Sequence, residues 1–189
     1  MAAGYNNRDD TGVNLGRRRF LVGGSGIAVG LILPPSLSQA IAPERRLSFH
    51  HTHTGEKLKV TYWAAGEYLS DGLGEINHLL RDHRTDDTHP IDPELLNLLH
   101  HLQQQLDTWR PFHIISGYRS PKTNNMLRSR SSGVAKQSLH MKGKAIDIRL
   151  PGHDLRQLQR AAKAQKAGGV GLYSGSNFVH LDTGRVRYW

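Results

Sequence analysis

The sequence predicts an α+β domain, a small and largely antiparallel sheet with helices packed on it. Three observations support this. Apolar residues recur at helical spacing over 71–83 and 93–108, whereas short runs elsewhere alternate apolar and polar residues as strands do. Two pairs of such runs are joined by tight turns, which makes hairpins. Turn residues, among them Gly55, Gly117, Pro151-Gly152 and Gly168-Gly169, separate the segments.

The elements follow in chain order. Arg17-Arg18-Arg19, then Phe20-Leu21, a small and apolar run to Leu33, Pro34-Pro35 and Ser38-Gln39-Ala40 have the layout of an export signal. The run over 20–33 has 14 residues, fewer than the ~20 a membrane-spanning helix needs. Arg18-Arg19-Phe20-Leu21 resembles a twin-arginine signal, so residues 1–40 are expected to direct export to the periplasm. Cleavage is expected after Ala40, the alternative being a retained N-terminal anchor. Runs over 47–53 and 57–62 flank Thr54-Gly55-Glu56 as a hairpin. Leu73, Ile76, Leu79 and Leu80 mark a helix over 71–83. Asp92-Pro93-Glu94 starts the helix over 93–108, with Asp92 as cap and Pro93 in the first turn. A strand over 111–116, a short helix over 122–130, a loop over 131–137 and a strand over 144–150 come next. A helix capped by His153 or Asp154 runs to 167. A hairpin of 170–173 with 177–182 and a short strand over 185–188 complete the domain, 41–189.

The 189-residue chain carries a formal charge of +9. Removing the leader leaves 21 basic and 14 acidic residues, a net +7. Such a surface suits an anionic partner, either nucleic acid or the bacterial wall with its peptide carboxylates. The basic residues are scattered and no nucleic-acid-binding motif occurs, so nucleic acid is not the expected partner. Without cysteine a disulfide framework and a thiolate zinc finger are excluded, and metal ligands are confined to His, Asp and Glu.

The most informative stretch is Ser138-Leu139-His140-Met141-Lys142-Gly143-Lys144-Ala145-Ile146-Asp147, with His180 following 33 residues after Asp147. Two imidazoles and a carboxylate are a common ligand set for catalytic zinc, which keeps a fourth position open for water. Asp147 alternates with Ile146 and Ile148 and needs a strong partner, because an unpaired buried charge is costly. A metal is one such partner and an arginine is the other. Alternation also sets Phe178, His180 and Asp182 on one strand face.

Three motifs together, Ser116-Gly117-Tyr118-Arg119-Ser120, Ser138-x-His140-x-x-Gly143-x-Ala145-x-Asp147 and Asn177-Phe178-Val179-His180-Leu181-Asp182, resemble the exported zinc peptidases of the D-Ala-D-Ala carboxypeptidase/endopeptidase (M15) group, which share a Hedgehog-like site. The closer likeness is to its murein endopeptidase K branch, and it covers most of 44–189. The resemblance implies zinc on His140, Asp147 and His180, with Arg119 holding a substrate carboxylate or peptide carbonyl. It also implies hydrolysis of peptide cross-bridges in peptidoglycan, in a protein expected to be a monomer that meets the membrane only through its export signal.

One departure bears on activity. Many relatives carry a Glu three residues before the last ligand, or a His two before it, as general base. Asn177 and Phe178 stand there and neither can serve. Asp182 either takes the proton or orients His180. A zinc-containing peptidoglycan-binding module without turnover is the alternative reading. Among the other histidines, His51 and His53 are expected in an exposed segment, His100 and His101 solvated or packed on their helix, His113 near the site, and His153 at a helix start. Tyr118 and Trp189 are candidate rim residues.

Overall fold

The computed structural model describes residues 43–131 and 133–189; the expected leader, its cleavage point and the retained-anchor alternative lie outside these residues. Eight strands form one sheet: β1 (Glu44–His51), β2 (Lys57–Ala64), β3 (Glu67–Tyr68), β4 (Phe112–Ser116), β5 (Ala145–Arg149), β6 (Gly169–Tyr173), β7 (Phe178–Asp182) and β8 (Arg187–Tyr188). Their order is β3-β2-β1-β4-β5-β7-β6-β8. The α+β class and the hairpins β1–β2 and β6–β7 are as expected. The sheet is larger than expected and mixed, because β1 pairs parallel with β4 and β6 parallel with β8.

Strand alternation gives this sheet two different faces. Leu47, Phe49, Val60, Tyr62, Phe112, Ile114, Ile146, Ile148, Val179 and Leu181 point to one side and are buried. Helices α1 (Ser70–Leu79), α2 (Pro93–Gln105) and α4 (Leu155–Gln165) cover that side with Ile76, Leu79, Leu95, Leu99, Leu102 and Leu158. Each fully buried Leu or Ile contributes ~1.5–3 kcal/mol, so this layer holds the fold. Helix α3 (Pro121–Arg130) follows β4.

Local signals set the boundaries. Asp92 caps α2 by accepting from the Glu94 amide at 3.0 Å, and Ser120 caps α3 by accepting from the Thr123 amide at 3.2 Å. Asp154, rather than His153, caps α4, accepting from the Gln157 amide at 2.7 Å. Two elements escaped the sequence pattern. One is the two-residue strand β3. The other is a 3-10 turn over Leu139–Lys142, which Gly143 closes in the left-handed conformation at φ 63°. A Cβ on Gly143 would collide with the Pro90 carbonyl, so this turn requires glycine on two counts.

Candidate metal centre

The uncovered face of β5 and β7 carries the site. The register sets Ser116 opposite Asp147 and Asp147 opposite His180. The 3-10 turn brings His140 over this pair. Ser138 accepts from the His140 amide at 3.4 Å and Gly143 closes the turn, which accounts for the Ser-x-His-x-x-Gly spacing.

The Gly117 carbonyl accepts from His140 Nδ1–H at 2.7 Å, which leaves the Nε2 lone pair facing the site. That carbonyl is held by close packing, since a Cβ on Gly117 would lie 2.5 Å from the Leu80 carbonyl oxygen. His180 Nε2–H donates to Asp182 Oδ2 at 3.0 Å, which turns the Nδ1 lone pair inward. Asp147 Oδ1 lies 2.9 Å from His180 Nδ1 and 3.3 Å from His140 Nε2, and the two nitrogens are 3.3 Å apart. These three atoms are the group among the described residues able to hold a metal ion.

Three lone pairs directed at one another at such distances repel unless positive charge lies among them. A proton on His180 Nδ1 supplies some. Burial opposes that proton, but the hydrogen bonds to Asp147 and Asp182 outweigh burial and raise the His180 pKa. Burial also pushes His140 down, keeping it neutral and ligand-ready. Burial alone would raise the Asp147 carboxyl, yet His140 and His180 hold it well below the ordinary carboxylate range. Tetrahedral zinc with bonds of ~2.0–2.1 Å sets its ligand atoms ~3.3 Å apart. The observed triangle and its nitrogen and oxygen donors therefore fit zinc.

Neighbours define what else the site offers. Arg119 Nη2 donates to Ser116 Oγ at 3.2 Å and Asp147 Oδ2 at 3.4 Å, while its buried Nε has no partner. Asp182 is fully buried. Its Oδ1 accepts from the Gly169 amide (3.1 Å), the Gly184 amide (2.9 Å) and Arg187 Nη1 (3.0 Å). Its Oδ2 accepts from His180 and from Arg187 Nη2 at 2.6 Å. Burial would raise this carboxyl, but these hydrogen bonds hold it far below its usual value. A cleft of about 390 Å³ opens over the ligands, walled by Arg119, Leu139, Tyr173, Phe178 and Trp189. The Trp189 ring lies 5.4 Å from the His180 ring and donates from Nε1 to the Tyr173 hydroxyl at 3.0 Å.

All five sequence-predicted site residues, Arg119, His140, Asp147, His180 and Asp182, thus come together. Of the other candidates, Trp189 joins them and Tyr118, His113 and His51 do not. Tyr118 stacks on His89 at 4.8 Å, outside the cleft lining, whereas Trp189 stands at the rim as expected. His113 lies on the uncovered face but touches no ligand; its ring packs edge-on against His50 at 4.9 Å. The expectation of an exposed His51 is corrected. His51 is 1% exposed and packs 5.5 Å from His83, because β1 turns its odd-numbered residues into the core. Sequence reasoning also missed Arg187, which pins Asp182, and Asp82. The latter accepts from the Ser120 amide at 2.9 Å and the Arg84 amide at 3.0 Å, bracing the start of α3 behind Arg119. No local pattern marked either residue.

A family model described as peptidoglycan L,D-endopeptidase MepK matches residues 39–189. The chain is similar to the peptidoglycan L,D-endopeptidase MepK of Escherichia coli strain K12, 45% identical over 175 residues, 91% of this chain and 96% of that one. The Shigella flexneri protein of the same name is equally similar, at 45% over the same shares. The probable peptidoglycan L,D-endopeptidase MepK of Haemophilus influenzae is 41% identical over 181 residues, 94% of this chain and 97% of the relative. No solved structure matches the chain.

Proposed function

The chain belongs to the peptidoglycan L,D-endopeptidase MepK family, and from that premise we propose that it hydrolyses L,D peptide cross-links of peptidoglycan with zinc held by His140, Asp147 and His180. The observation that carries the reading is the convergence of three lone pairs, on the buried His140 and Asp147 and the half-buried His180, at zinc-ligand spacing beside a cleft. Zinc so held would supply a Lewis acid for the scissile carbonyl and a water of lowered pKa.

The protein's own groups have defined tasks. Arg119 is tethered through Nη2 and keeps Nη1 free for the substrate. There it holds a carboxylate or the carbonyl oxygen that gains negative charge as water adds. The cleft walls Tyr173, Phe178 and Trp189 exclude bulk water and orient the peptide. Asp182 has every lone pair engaged, so we assign it the orienting role: it keeps the proton on His180 Nε2 and the lone pair on Nδ1. Hydrolysis adds water across the C–N bond, leaving a carboxylate and a free amine.

As a peptidoglycan endopeptidase the protein acts in the cell envelope. We place it in the periplasm, exported through the twin-arginine-type leader of 1–40, acting as a monomer on cross-bridge peptides and not on nucleic acid. The test is chromatography of cross-linked muropeptides incubated with the purified protein, with and without chelator. Dimers should fall and monomers appear, with chelator stopping the reaction and added zinc restoring it. Intact dimers in the presence of one bound zinc per chain would favour the non-catalytic binding module. His180→Ala should stay folded and be inactive; retained turnover would sink the ligand assignment.

A further inference from the structure

The sheet face that bears the metal centre continues, uncovered by α1, α2 or α4, across β4, β1 and β2. One cross-strand row on it joins Arg149 on β5 to His113 on β4, His50 on β1 and Lys57 on β2, each paired in register with the next. All four side chains point outward, because Ile148, Phe112, Phe49 and Leu58, their neighbours along the strands, pack in or against the core. Three inter-strand spacings make the row ~14 Å long, and Arg149 sits ~7 Å along β5 from Asp147 on the same face. Beyond Arg149 the next strand, β7, presents Phe178 on the cleft wall.

The fixed cations of this row are its two ends, Arg149 and Lys57; between them burial, then His50 and Arg149, lowers the His113 pKa, so that ring offers a neutral N–H. Three cations around the metal centre are answered: Arg119 by Asp147, Arg187 by Asp182 and Lys144 by Asp92. Among the described residues neither Lys57 nor Arg149 forms an ion pair, and the buried Nε of Arg149 has no hydrogen-bond partner. Lys59, opposite Ser48 in the adjoining register, adds a further unpaired cation to the same face. The row therefore carries uncompensated positive charge at both ends and leads away from the strand position beside Phe178 of the cleft wall.

We propose that the Arg149–His113–His50–Lys57 row is a docking track for a carboxylate-bearing peptide, the stem that extends from the cross-link lying in the cleft. This rests on the peptidoglycan endopeptidase reading. Continuity selects the occupant: a chain entering the cleft beside Phe178 passes over Arg149 first. Arg149 engages a carboxylate through its guanidinium. His113 and His50 contribute ring N–H donors, and Lys57 closes the far end.

The test uses the full chain carrying His180→Ala, which removes one proposed zinc ligand, so that binding to purified sacculi is read by sedimentation without cleavage. Adding Arg149→Gln should weaken binding about tenfold, the loss of one charge-assisted bond, and adding Lys57→Gln to it should weaken binding further and flatten its salt dependence. Arg149→Lys should restore most of it. Arg156→Gln with Arg160→Gln, exposed on α4 across the sheet, should leave the dissociation constant within about twofold, the neutral expectation for solvated charges. If the double variant does not fold, Lys57→Glu at the exposed end reports alone. Amidating the sacculus carboxylates should abolish the difference between the parent and the track variant. Equal binding by the two proteins, a difference that survives amidation, or a track-dependent affinity for duplex DNA exceeding that for sacculi would each overturn the proposal. Wild-type hydrolysis of muropeptides is measured beside it: track-dependent binding without hydrolysis would reject the enzyme reading and keep the track.

Discussion

Asp182→Asn separates an orienting carboxylate from a proton acceptor. The native carboxylate accepts five hydrogen bonds, three on Oδ1 and two on Oδ2. An asparagine keeps one acceptor oxygen. Its better orientation leaves that oxygen at the Oδ1 position, where the Gly169, Gly184 and Arg187 donors remain satisfied. The amide NH₂ then faces Arg187 Nη2 and His180 Nε2, donor against donor. The bond to Arg187 Nη2 is lost and the one to His180 becomes a neutral one, so the metal-free fold should weaken by about 1.5–3 kcal/mol. His180 relieves its own conflict by giving up the Nε2 proton and carrying one on Nδ1. That tautomer blocks the nitrogen turned toward Asp147 and His140. Zinc affinity should therefore fall about 10–100-fold, the usual cost of losing a group that orients a ligand histidine. Zinc titration against a competing chelator, with urea unfolding in chelator alongside, measures both quantities. Wild-type zinc affinity combined with lost turnover would refute the reasoning and make Asp182 a participant in proton transfer.

Three further outcomes are expected. Gly143→Ala forces a Cβ into a left-handed turn and onto the Pro90 carbonyl; strain and overpacking should lower stability by about 2–4 kcal/mol in urea unfolding, and an unchanged midpoint would contradict the packing described. Gly171→Ala places a Cβ against the Trp189 indole and should displace that ring from His180, raising KM for muropeptides with little change in urea midpoint; an unchanged KM would remove Trp189 from the substrate-binding wall. Burial first, then the charges of neighbours such as His53 and Arg84, holds His51 and His83 down to about 4 from 6.5. Between these values the unfolded chain binds more protons than the folded one. Their contribution is complete above pH 6.5 and is lost as pH falls toward 4. Comparing the pH dependence of urea midpoints for wild type and His51→Gln in chelator isolates it; parallel curves would mean that His51 titrates normally.

The legibility of this protein divides along the range of its interactions. Where a residue's role is set by its neighbours in sequence, the pattern is readable. Asp92-Pro93 starts α2, alternation sets Asp147 and His180 on the outer face, and Gly143 closes the turn after His140. Register completes the site, because pairing β5 with β7 is what puts Asp147 opposite His180. Where the role depends on a distant backbone atom, nothing local signals it. The carbonyl that fixes the His140 tautomer belongs to Gly117, 23 positions away in the chain, and Gly117 is glycine because Leu80 leaves no room for a Cβ. The same holds for the extra strands. β3 has two residues, and the parallel pairing of β1 with β4 spans about 60 residues of intervening chain. The misplaced His51 has a related cause. His50-His51-Thr52-His53 is polar by composition, so it resembles an exposed segment, yet β1 is central enough for alternation to override composition: His51 goes into the core and His50 onto the outer face. The candidate metal centre was legible because His140, Asp147 and His180 sit on short, well-signalled elements. The roles of its supports, Gly117, Arg187 and Asp82, were not, because each is set by a partner that only the folded chain brings into reach.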